Sequence, residues 1–128
     1  MSSAQLNLDR LAAEHAQAII RRTSDKKASE VDNTVTKALG VLQENGIYAC
    51  FLYLLAKEKE NGHVVVEEML GLLEDLGFDD QKPNDHSADK VLSFISNQVT
   101  GSLERLLLAK ETLEQMLIYA RYGAKARG

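Results

Sequence analysis

The residues of this 128-residue chain best suited to chemistry by type and spacing are cations. Arg21, Arg22, Lys26 and Lys27 gather where a first helix should end. Lys37 projects from a second helix opposite its apolar stripe, and Arg121, Lys125 and Arg127 sit in a last turn free of acid. Cations at a helix C-terminus complement the helix dipole. They also suit the tracking of phosphates, where each contact adds salt-dependent affinity and carries no sequence information. Arg21, Arg22, Lys26, Lys37, Arg121 and Lys125 are therefore the candidate nucleic-acid-binding residues. Tyr119 and Tyr122 lie beside the tail, spaced either to stack on bases or to cover the core.

The distribution of charge supports a polyanion at the two ends. The net charge of −4 divides unevenly: residues 1–59 carry eight basic and seven acidic side chains, 60–104 two and ten, and 105–128 five and two. Such sign asymmetry marks surfaces that meet different partners.

Catalytic and metal-binding patterns are missing. His15, His63 and His86 fall on three different expected elements, and HxxxH and CxxC do not occur, so the histidines read as surface residues with no zinc or di-iron site. The acidic stretch from Asp75 to Asp85 lacks the alternating oxygen ligands, central glycine and terminal glutamate of a calcium loop. No glycine-rich phosphate cradle or GxSxG elbow appears. Glu67-Glu68 and Asp79-Asp80 are adjacent in sequence, point in different directions on a helix and read as solvated charges. Cys50 lies inside the most apolar run and reads as a buried, inert thiol. The expectation is a protein that is not an enzyme and takes no cofactor and no small-molecule substrate.

The elements that position these side chains are helices. Leu8, Leu11, Ala12, Ala16, Ile19 and Ile20 recur every three or four residues, giving a first helix from about Leu8 to Thr23. Ser24-Asp25-Lys26-Lys27 is a connection, and Ser29 is a candidate N-cap for a second helix with the stripe Val31, Val35, Ala38, Leu39 and Leu42. Asn45-Gly46 stops it. Ile47 to Ala56 then runs without a charge. A helix with no polar face must be wrapped by others, and this one is too short for the roughly 20 residues of a bilayer crossing. It should end near Lys59, at Asn61-Gly62. A fourth helix carries Val65, Met69, Leu72, Leu73 and Leu76 and closes at Gly77. A loop from Asp79 to His86 precedes a fifth helix starting near Ser87. A long last helix, capped by Ser102 or Thr100, turns Leu103, Leu106, Leu107, Leu113, Met116, Leu117 and Ala120 inward. The only proline is Pro83, and β-branched runs are confined to Val64-Val65-Val66. The expectation is an all-α single domain over 1–128, a bundle of five to six helices around a buried central helix. No export signal opens the chain, so the cytoplasm is the expected compartment.

Three segments carry a family resemblance. Ala38-Leu39-Gly40-Val41-Leu42-Gln43-Glu44-Asn45-Gly46-Ile47, the apolar helix to Leu55 and the polar Lys57-Glu58-Lys59 form the first. Val66-Glu67-Glu68-Met69-Leu70-Gly71-Leu72-Leu73-Glu74-Asp75-Leu76 is the second, and Glu111, Leu113, Met116, Ile118, Tyr119, Ala120, Arg121, Tyr122 and Gly123 fall in the frame of the third. Together they resemble the small α-helical subunit of type III-B CRISPR effector complexes, the fifth subunit of the Cmr complex. Two positions depart from that pattern. Leu39-Gly40 stands where leucine-proline is usual, and Ile118 and Ala120 replace a tryptophan and a lysine, leaving Arg121 as the matching cation. The resemblance implies a non-catalytic subunit that stacks with further copies of itself into a minor filament. Its implied partners are the guide–target RNA duplex and the backbone and large subunits, with no membrane. On that reading the basic ends face nucleic acid, and the acidic middle faces a basic neighbour or a second copy. A protein-only helical adaptor and the equivalent small subunit of a type III-A complex are the alternatives.

Overall fold

The computed structural model describes residues 3–57, 59–78, 83, 85–99 and 102–128, with side chains from Leu8 onward. Six helices follow one another: α1 Ser3–Arg22, α2 Ala28–Asn45, α3 Ile47–Lys57, α4 Glu60–Asp75, α5 Ala88–Phe94, which runs on into a π-helical turn Ile95–Val99, and α6 Leu103–Arg127. The chain is an all-α bundle. Most of the loop expected from Asp79 to His86, and the Thr100-Gly101 junction, lie outside the described residues. Among the described residues no helix is long and apolar enough to cross a membrane.

The stripes read from the sequence make the core. Ala12, Ala16 and Ile19 of α1, Val31, Val35, Ala38 and Leu42 of α2, and Leu113, Met116, Leu117 and Ala120 of α6 are buried together with Met69, Leu72 and Leu73 of α4. Helix α6 packs along both α1 and α2, α4 packs on α1 and α3, and α3 also lies against α2 and α5. The two glycines with positive φ end helices where expected. Gly46 (φ 96°) returns its N–H to Leu42 O at 3.0 Å, and after Gly77 (φ 98°) Phe78 N–H reaches Leu73 O at 2.9 Å. A Cβ is poorly tolerated there, which is why both positions are glycine.

Four details differ from the sequence reading. Asn61-Gly62 does not stop α3. It lies in the first turn of α4, which opens on Glu60, an acid at the positive end of the helix dipole. Helix α2 starts at Ala28 with Lys27 as N-cap, so Ser29 lies inside the helix. The charge-free α3 buries Ile47, Cys50, Phe51 and Leu54, but Tyr48 and Leu52 remain 42% and 46% exposed, so neighbours cover one side only. Leu103 and Leu107, expected inward, are 70% and 57% exposed, because the first two turns of α6 extend past the faces of α1 and α2 that bury its later residues. Arg105 anchors this end, its guanidinium 4.1 Å from the centre of the Phe78 ring and its Nη2 donating to Gly77 O at 3.2 Å.

Candidate nucleic-acid interface

The second helix presents Glu30, Asn33, Thr34 and Lys37 at helical spacing on one face, beside the buried stripe. Opposite them lie Lys57 and Lys59, where α3 gives way to α4, with Glu60 and Asn61 of the first turn of α4. Lys26 of the α1–α2 connection closes one end. The result is an open groove of about 480 Å³ lined by four lysines and two glutamates. Lys37, Lys57 and Lys59 make no ion pair among the described residues. Lys26 is held by Glu60, whose hydrogen bond raises its pKa above the ordinary lysine value. The groove therefore offers three exposed ammonium groups with no ion pair among the described residues, a pattern suited to a phosphodiester backbone.

The six candidate cations divide among several places. Lys26 and Lys37 share the groove. Arg21 lies on a separate cleft of about 500 Å³ between α1 and α6, with Asp9, Gln17, Ile20, Tyr119 and Gly123. There the Tyr119 hydroxyl donates to Asp9 at 2.5 Å, which raises its pKa and ties the ring to α1. Tyr122 points to solvent. Lys125 pairs with Asp32 of α2 at 3.1 Å. Thr36 first, and then Lys125, hold the Asp32 carboxyl below its ordinary range, with the charge of half-buried Arg121 adding to them. Arg127 donates to the carbonyls of Thr23 and Lys26, fixing the last turn of α6 on the α1–α2 connection. Lys57 and Lys59 are the cations the sequence reading left out. The lysine-rich end of α3 was visible, but the packing of α2, α3 and α4 that sets it opposite Lys37 was not.

Arg22 is fully engaged. Its two terminal nitrogens donate to Glu67 and Glu68 of α4, the latter at 2.7 Å. Arg22 lowers the Glu67 pKa most, with burial opposing and His86, 3.0 Å away, assisting. His15 lies two turns earlier on the same face of α1, its two ring nitrogens each 2.8 Å from a carboxylate, Nδ1 from Glu68 and Nε2 from Asp75. Carboxylates accept, so the ring satisfies both by donation only as imidazolium. The ring packs on Gly71, where a Cβ would stand 3.0 Å from Cε1. The reading of His15 as a surface residue and of Glu67-Glu68 as solvated charges is thus corrected: the His15 side chain is only 16% exposed, and these acids clamp α1 onto α4.

This clamp sets a pH dependence. Burial disfavours the charged ring, but its hydrogen bonds to Asp75 and Glu68 and their charges outweigh it and raise the His15 pKa. The folded value exceeds the unfolded one, so the bound proton stabilises the fold. That contribution is fully present below about pH 6.5 and is lost as pH rises through the raised folded value. Thermal melts of the wild type and His15→Gln between about pH 5 and 8.5 should show a deficit on the order of 1–2 kcal/mol in the variant at acid pH. The gap should narrow as pH rises. A gap that is constant with pH would show that His15 is not charged in the fold.

No family, curated protein or solved structure matches the chain. Among the described residues no group of three or more His, Cys, Asp or Glu side chains is arranged to hold a metal ion, and Glu60 and His63, three residues apart on α4, gain no third ligand. Cys50 is buried, donates to Ala38 O at 3.4 Å, and has its pKa pushed up to about 12 by burial, far from thiolate chemistry at neutral pH.

Proposed function

We propose that this chain is a non-catalytic small subunit of a type III-B CRISPR RNA-guided effector complex, acting in the cytoplasm in antiviral defence. The observation that carries the RNA contact is the lysine groove, whose Lys37, Lys57 and Lys59 form no ion pair among the described residues, while Arg22 and Lys125 pair with carboxylates and Arg127 donates to backbone carbonyls. A surface kept cationic in a chain of net charge −4 suits a polyanion. The three-segment resemblance supplies the biological setting, with guide–target duplex, backbone and large subunits, and further copies of the chain as partners. The experiment is affinity purification of the tagged chain from its native cells. It should bring down a small RNA of defined length together with larger protein subunits. Recovery of protein partners without RNA at any salt would overturn the RNA reading.

A protein-only adaptor is the second reading, favoured by the outward Leu103, Leu107 and Leu108 at the start of α6. Apolar side chains on an outer helix face suit a protein neighbour and contribute nothing to phosphate binding. The same purification separates the two readings.

A further inference from the structure

We infer that Glu60 is a built-in competitor for phosphate in the lysine groove, a contact that favours polymeric anions over small ones. The inference rests on the reading of the groove as an RNA-binding surface. Glu60 opens α4 and reaches Lys26 with a side chain that is otherwise 76% exposed. It has no structural need for Lys26, since an acid in the first turn of α4 is already stabilised by the helix dipole. The backbone of Lys26 is held where its carbonyl accepts from Arg127, and Asp25 lies 3.9 Å from its ammonium group. The carboxylate of Glu60 therefore occupies the position a phosphate oxygen would take on Lys26. Glu30 on the facing wall adds negative potential at the same ammonium.

The consequence follows from counting contacts. An exposed ion pair contributes about 0–1 kcal/mol, so Glu60 weakens phosphate binding at Lys26 without blocking it. A single phosphate entering there exchanges one ion pair for another and gains little. A chain of phosphates also reaches Lys37, Lys57 and Lys59, which no carboxylate among the described residues pairs with, and keeps most of its affinity. A free nucleotide entering at Lys26 is thus disfavoured relative to a polynucleotide by about that margin.

The test uses the full chain, a fluorescein-labelled oligouridylate of roughly 15 nucleotides and AMP, with anisotropy read across a salt series. Glu60→Gln should bind the oligonucleotide about 2- to 5-fold more tightly. Its plot of log affinity against log salt should steepen by about 0.7, one more phosphate contact on a single strand. AMP should compete with the oligonucleotide a few-fold more strongly for Glu60→Gln than for the wild type. Adding Lys26→Gln to Glu60→Gln should remove the gain, because competition acts through Lys26, whereas a general rise in positive charge does not depend on it. Wild-type affinity in Glu60→Gln, or a gain that survives Lys26→Gln, overturns the competitor role. If oligonucleotide binding is also insensitive to charge reversal at Lys37, Lys57 and Lys59, the groove itself is wrong; if that reversal abolishes binding, the groove stands and only the role of Glu60 falls.

Discussion

Replacing Lys37, Lys57 and Lys59 together by glutamate should weaken RNA binding by about two orders of magnitude or more. Each ammonium–phosphate contact contributes on the order of 1 kcal/mol at moderate salt, so losing three accounts for about a hundredfold, and the reversed charges add repulsion. The slope of log affinity against log salt should fall by about 2 for a single strand. Folding should be spared, because none of the three is held in an ion pair among the described residues and all three side chains are exposed. Anisotropy titrations with labelled RNA read the affinity, and circular-dichroism melts confirm the fold. Glutamate at Arg22 gives the opposite pattern, since it strands Glu67 and Glu68 opposite a like charge and costs stability first. Undiminished RNA binding in the triple variant would remove the groove as the nucleic-acid interface.

How these cations sort themselves was legible only in part. Helix stops at Gly46 and Gly77, and the inward stripes of α1, α2 and α4, were readable because they depend on residues within one or two turns. The use made of each charge was not, because it depends on pairs far apart in sequence. His15 meets Glu68 across 53 residues, Arg22 meets Glu67 across 45 and Arg127 meets Lys26 across 101. The acidic segment after residue 60 suggested an external basic partner. Four of the ten acids of residues 60–104, Glu60, Glu67, Glu68 and Asp75, each meet a group from α1 or from the connection after it. Part of the asymmetry thus serves the docking of α1 on α4. Lys37, Lys57 and Lys59 are among the cations left over once those internal pairs are formed, and that subtraction needs coordinates.

The charge-free helix gives the second large effect, and it sets two neighbouring residues apart. Phe51 is fully buried and is among the largest side chains in the core, so Phe51→Ala should destabilise the fold by about 3–5 kcal/mol through lost transfer energy and an unfilled cavity. For a chain of this size that is a fall in Tm on the order of 10–20 °C. Leu52 follows it in the sequence with the same apolar character, yet it stands on the outward face with Tyr48. Leu52→Gln should change stability by less than about 1 kcal/mol. Paired thermal and urea melts measure both substitutions, and equal losses at the two positions would mean that α3 is enclosed on every side. Composition treats the residues from Ile47 to Ala56 as one apolar run, whereas packing divides them. Cys50, Phe51 and Leu54 anchor α3 against α2, α4 and α5, while Tyr48 and Leu52, four residues apart, mark the face those helices leave open.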